Sequence, residues 1–203
     1  MTAANAHLFQ APASRSIYLR ARGFDPKSGT RSGGIRKPVE VDLPQGAVLL
    51  RTYQDPTRLF GEWWFTPHEM AQVVGYFGRD GPAFGEGRAQ GKGILQATLA
   101  VRHEWGGNSP GHLGLLAAVR LAAPLKAYFG EGDAAPDASQ RANLKPIHIT
   151  DRTGRRRGVR QLFLPEAWTY QPAFAVVERN APTDRDLVRM ARAHGGARLA
   201  FET

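Results

Sequence analysis

Hydrophobic and polar positions divide this chain into short strand-like runs, a few helical stripes and long glycine-rich gaps. Ala47 to Tyr53 is apolar and β-prone, which predicts a strand ended by Asp55-Pro56. A second short extended element, GEWWFT, follows at 61–66. Thr66 then opens the clearest helix. Pro67 falls at the first helical position, where its missing N–H costs nothing, and Glu69 stands three residues after Thr66 in a capping-box pattern. Met70, Val73, Val74 and Phe77 share one stripe, so this helix is expected to reach about Phe77. Further strands are expected at 17–22 (IYLRAR), 94–101 (ILQATLAV), 145–150, 159–164 up to Pro165, and 173–177. Residues 113–129 read as a helix broken or kinked at Pro124. A last helix is expected from Asp184 to about His194, capped by Thr183. Its Asp184 and Asp186 lie near the start, and Arg192 and His194 near the end, as the helix dipole favours.

The gaps are equally informative. Residues 1–16, rich in Ala, Ser and Asn, read as a loose N-terminus. Residues 23–38 and 78–93 are glycine-rich loops, and 130–143 resembles a surface excursion. No internal repeat is visible. Together these features predict one mixed α/β domain over 17–203.

Composition narrows this reading in three ways. With 203 residues, 42% of them hydrophobic, a substantial core is expected. The absence of cysteine excludes disulfides and thiolate ligands and fits a reducing compartment. The longest apolar stretch, Leu113 to Leu125, is interrupted by Arg120 and is too short for a membrane span. The N-terminus does not read as a secretory signal, so the expected location is cytoplasmic. The net charge of +9 points to an anionic partner: nucleic acid, a nucleotide or an acidic protein. Arg155, Arg156, Arg157 and Arg160 form the densest basic run, in an expected turn between two strands, where they suit either a phosphate backbone or a solubilising surface.

Three segments join strands to polar residues that a core does not require. In LLRTYQ, Arg51 brings a fixed charge and a rigid fork of donors among leucines, and needs a carboxylate or a phosphate. In FGEWWFTPHE, alternation puts Trp63 and Phe65 on one face and Trp64 on the other. Packing at the helix entry suits Trp63 and Phe65, and Trp64 is the ring expected to line a groove. In GVRQLFLPEAWTY, Gln161 projects with Phe163, opposite Leu162 and Leu164, and Glu166 lies beyond the proline.

These three segments resemble the motifs of the ADP-ribosyltransferase and NAD-glycohydrolase toxin superfamily. The matching positions are Arg51, Thr66 with its aromatic neighbours, and the strand ending in QLFLP. The resemblance implies an α+β fold of split, mostly antiparallel β-sheets with flanking helices. It implies NAD as substrate and cleavage of the nicotinamide–ribose bond, with ADP-ribose passing to water or to a protein or nucleic-acid acceptor, and, for a toxin, delivery into the cytoplasm of a target cell. Arg51 would hold the diphosphate, Tyr53 or Trp64 would wall the nicotinamide, and Thr66 would meet the ligand. The superfamily's pattern has a glutamate where this chain has Gln161. Gln161 can hydrogen-bond ribose but supplies no negative charge, so the resemblance implies a hydrolytic chain or a carboxylate from Glu166.

Other features carry rival readings. His103, Glu104 and His112 offer an acid/base pair or metal ligands without HExxH spacing. The basic charge supports a nucleic-acid-binding or RNA-cleaving protein, and the scaffold alone is compatible with a non-enzymatic interaction protein.

Overall fold

The computed structural model describes residues 2–26, 28–29, 33–53, 56–79, 115–133, 135–137, 142–144, 148–151, 153–194 and 198–202. The expected strand at 94–101, most of the loop at 78–93, and His103, Glu104 and His112 lie outside the described residues.

The fold is α+β with open antiparallel sheets. One sheet has the order β1 (Val39–Leu43), β5 (Leu125–Glu131), β10 (Arg160–Phe163), β3 (Trp63–Trp64). The other has the order β11 (Phe174–Pro182), β4 (Leu115–Leu121), β2 (Val48–Tyr53). All their pairings are antiparallel. Leu50 and Phe65 exchange backbone hydrogen bonds of 2.8 Å in both directions and so stitch the end of β3 to β2. Among the described residues two further antiparallel pairs form: β6 (Ala135–Asp137) with β7 (Ala142–Leu144), and β8 (His148–Thr150) with β9 (Arg156–Gly158).

The period of two along each strand explains the layers. Leu49, Val119, Leu121 and Phe174 from one sheet meet Val41, Leu43, Trp64, Leu125, Ala127 and Leu162 from the other in a central core. The alternate residues Leu50, Leu116 and Ala118 pack outward against Met70 and Val73 of α2 (Pro67–Arg79) and Leu187, Met190 and Ala191 of α3 (Thr183–His194). On the other flank, Tyr128 and Phe163 pack against Ile17 and Ala21 of α1 (Ala13–Ala21). The split sheets are therefore held back to back, with helices outside both. No helix among the described residues is long and apolar enough to cross a membrane.

Two expected elements change type. Residues 17–22, expected as a strand, lie mostly in α1. The positions that looked like strand alternation also include Ile17 and Ala21, four apart, and the helix buries that pair against the sheet. Residues 113–129, expected as a kinked helix, contain β4 and most of β5. Their alanines and leucines favour a helix locally, but β4 is flanked on both sides by β11 and β2, and this ladder overrides propensity. Pro124 does break the run, as a corner: β4 ends in one sheet and β5 begins in the other.

The first residues, expected to be loose, make specific contacts. Asn5 donates through Nδ2 to Lys126 O at 2.9 Å, and its Oδ1 accepts Lys126 N–H at 2.7 Å. Ala4 N–H reaches Pro124 O at 3.0 Å, and Leu8 is buried. A single side-chain amide thus supplies both partners of one β5 residue. The surface excursion expected at 130–143 likewise includes the end of β5, all of β6 and the start of β7.

Candidate active site

A cleft of about 630 Å³ opens between α1 and the edge formed by β3 and β10. Its size is in the range of small-molecule sites. Ala13, Ser16, Ile17 and Arg20 of α1 form one wall, Gly23–Pro26 the lip, and Glu62, Trp63, Phe163, Glu166 and Trp168 the opposite wall.

The turn after β10 sets up the chemistry. Leu164 N–H binds Glu62 O at 2.7 Å, aligning the end of β10 with the start of β3. Glu166, next after Pro165, has φ 54° and ψ 33°, a left-handed conformation that a residue with a Cβ adopts at a cost. Three contacts hold it there. Its N–H donates to Glu62 Oε1 at 2.9 Å, and its carbonyl accepts Thr169 N–H and Oγ1–H, both at 2.8 Å. The turn projects Trp168 to the rim, where it is 49% exposed.

Two carboxylates converge on one guanidinium. Arg20 Nη2 is hydrogen-bonded to Glu62 Oε1, and Nη1 lies 3.7 Å from Glu166 Oε1. The environments of the two acids differ, with side-chain exposure of 16% for Glu62 and 36% for Glu166. Burial raises the Glu62 pKa above the usual carboxylate value. The Glu166 N–H and Arg20 oppose that shift, and the Glu166 charge adds to it. The cleft lining carries Asp25, Glu62 and Glu166 against Arg20, an acidic balance inside a basic protein.

Of the residues singled out by sequence, Glu166 lines this cleft. Arg51 lies behind its wall, with Nη1 donating to Trp63 O at 2.6 Å and the guanidinium 5.6 Å from the centre of the Trp64 ring. Its Nε is buried without a hydrogen-bond partner, and burial lowers its pKa to about 10, against the opposing charges of Glu62 and Tyr53. Gly61 makes room for it: a Cβ there would stand 2.0 Å from Nη2. Tyr53 is buried, donating to Asn180 Oδ1 at 2.9 Å and accepting Asn180 N–H at 2.7 Å. Trp64 is wholly buried, stacked on Phe174 at 5.4 Å and 9°, so Trp63 and not Trp64 is the groove-lining ring. Thr66 caps α2 by accepting Glu69 N–H at 3.1 Å and is also hydrogen-bonded to Glu202. Gln161 is buried and donates to Gly34 O at 3.2 Å.

The basic run divides. Arg155 and Arg156 are exposed, whereas Arg157 and Arg160 turn inward to Glu69. Glu69, wholly buried, accepts Arg157 Nη2 at 2.8 Å, Arg160 Nε at 3.1 Å and Arg160 N–H at 2.9 Å. It thus serves as the anchor of a buried ion cluster beyond its place in the cap. Asp151 orders the adjacent turn by accepting Thr153 Oγ1 at 2.7 Å, Thr153 N–H at 2.9 Å and Arg155 N–H at 3.0 Å. Those bonds, the Thr153 hydroxyl first, lower its pKa.

Sequence reasoning missed Arg20, Glu62, Trp63 and Trp168 as one group. A carboxylate directly before an aromatic pair, in GEWW, was the available signal for Glu62. Arg20 was hidden by the assignment of its segment to a strand.

No known family's sequence pattern matches the chain, and no curated protein does. Among solved structures, the chain is similar to Rhs1-CT in complex with its cognate immunity protein RhsI1. That likeness has 13% identity and a TM-score of 0.42, and covers 71% of this chain and 80% of the other. It is also similar to the structure of Tse6 in complex with Tsi6, at 15% identity and a TM-score of 0.37, over 84% of this chain and 85% of the other. Neither likeness bears on the chemistry of the cleft.

Proposed function

We propose that the chain cleaves the nicotinamide–ribose bond of NAD in the cleft between α1 and the turn after β10. The observation that carries this reading is the convergence of Glu62 and Glu166 on Arg20 beside Trp63, Phe163 and Trp168. Nicotinamide leaves with the electron pair of the C–N bond, and positive charge develops on the ribose. A fixed carboxylate next to that carbon favours the charge as it forms. Paired acids in unlike surroundings are the arrangement used to break glycosidic bonds. Glu166, the more exposed acid, is assigned to the ribosyl cation, and Glu62 to holding the turn that presents it. The pyridinium ring of NAD is itself cationic and suits the acidic, aromatic lining. Water, or an acceptor nucleophile, then bonds to the ribose carbon and gives up its proton to the Glu166 carboxylate, which passes it to solvent. In this reading Arg51 and Gln161 support the frame from behind it.

The test is nicotinamide release from NAD, measured with and without a cell lysate. Release in buffer assigns hydrolysis, and release only with lysate assigns transfer to an acceptor. Release from wild type that survives unchanged in Glu166→Gln removes Glu166 from the mechanism. No release under either condition overturns the proposed activity.

A second reading, binding of nucleic acid, draws on the net charge of +9 and on exposed Arg155, before β9, and Arg156, at its start. It predicts binding to RNA or DNA that weakens steeply with salt and is lost in the Arg155→Ala/Arg156→Ala double variant.

A further inference from the structure

The charged wall of the cleft already holds a cation. The Arg20 guanidinium lies 5.8 Å from the centre of the Phe163 ring and 6.0 Å from that of Trp168. The same group is hydrogen-bonded to Glu62 and stands 3.7 Å from Glu166. Two carboxylates and two aromatic rings around one flat, delocalised charge are the components of a site for such a charge. Arg20 reaches this place on a flexible stem from α1, and its side chain is 25% exposed. It can withdraw into solvent by rotating that stem, with the helix left in place.

We infer that Arg20 is a resident occupant of the cleft, and that Glu62, Glu166, Phe163 and Trp168 form a box for a planar delocalised cation that enters by displacing it. The inference deepens the proposed function and rests on it where the entering cation is the pyridinium of NAD. The other source of the same chemistry is the guanidinium of an arginine on an acceptor protein. In either case the resident side chain lowers apparent affinity by the fraction of time that it fills the box. A compact ammonium lacks the flat, delocalised face that the box accommodates in Arg20.

Removing the occupant tests this directly. Full-length Arg20→Ala and wild-type protein are melted with 1-methylnicotinamide, methylguanidinium or methylammonium at equal ionic strength. A planar cation should raise the melting temperature of Arg20→Ala by several degrees, by binding the folded form, and leave wild type nearly unchanged. Arg20→Gln, which keeps an N–H donor for Glu62, serves if the alanine variant does not fold. A rise with 1-methylnicotinamide supports the pyridinium source, and a rise with methylguanidinium alone supports the acceptor arginine. An equal rise with methylammonium, or no rise in either variant, overturns the inference. A planar-cation shift in a protein that releases no nicotinamide keeps the box and sinks the NAD reading. Release without such a shift does the reverse.

Discussion

Glu62 accepts the backbone N–H of Glu166 at 2.9 Å, so one acid of the cleft holds the turn that carries the other. Such an arrangement separates two roles that a single substitution usually confuses. A change at position 166 removes a charge from the cleft, and a change at 62 also releases the backbone behind it.

The left-handed backbone of Glu166 supplies the first prediction. Glycine adopts φ 54° without the steric cost that a Cβ brings, roughly 1–2 kcal/mol. Glu166→Gly should therefore fold with equal or slightly greater stability by thermal melting, while nicotinamide release falls on the order of a hundredfold. A turn serving only architecture would show the stability change with no loss of activity.

Gly61 and Arg51 should behave as a pair. A Cβ at 61 would meet Arg51 Nη2 at 2.0 Å, and that guanidinium also holds Trp63 O. Gly61→Ala is expected to cost about 1–3 kcal/mol by denaturant unfolding, through overpacking against a side chain with little room to move. Arg51→Ala should lose stability and activity together. If Arg51→Ala lowers NAD binding without lowering stability, the arginine meets the ligand directly.

The contrast between Arg51 and Glu166 shows what the sequence can reveal. Strands β2, β10 and β11 and helices α2 and α3 were legible because period-two and helical stripes, caps and prolines act locally. Even the exchange of faces from Trp63 to Trp64 followed from alternation. Which face would be the groove was not legible, because that depends on where α1 packs, and α1 was read as a strand. Arg51, amid leucines, rightly signalled a half-buried charge. Its partners, a backbone carbonyl and an indole face, leave no mark in a motif. β4 and β5 were hidden for a related reason: their alanines and leucines favour a helix locally, and the ladders that override this come from distant segments.

The raised pKa of Glu62 gives a pH dependence of definite sign. A folded-state pKa above the unfolded value of 4.5 means that the native state binds the proton more tightly. The contribution to stability is complete below 4.5 and is lost as pH rises through the folded pKa. Glu62→Gln cannot ionise and lacks this dependence. The stability of wild type relative to Glu62→Gln should therefore fall as pH rises above 4.5, followed by urea unfolding across a pH series. A flat difference across that window would place Glu62 in contact with solvent in the folded protein.

The basic run yields the last prediction, because its four arginines occupy unlike surroundings. Arg157 and Arg160 share the wholly buried carboxylate of Glu69, whereas Arg155 and Arg156 are exposed. Removing the shared carboxylate takes from two inward-facing guanidiniums the wholly buried anion they have in common, with Asp151 at 3.6 Å still beside Arg157, a change that costs about 3–5 kcal/mol. Surface arginines are worth much less, usually within about 0.5 kcal/mol. Glu69→Gln should thus shift the urea midpoint far more than the Arg155→Ala/Arg156→Ala double variant. Glu69→Gln keeps the side chain's shape and one acceptor, so a large loss reports the charge and not a cavity. The nucleic-acid reading makes the opposite ranking for binding: the double variant should lose salt-sensitive affinity, and a folded Arg157→Met protein should keep it. Equal stability losses for Glu69→Gln and the double variant would mean that solvent screens the cluster, and all four arginines would then be open to a phosphate backbone.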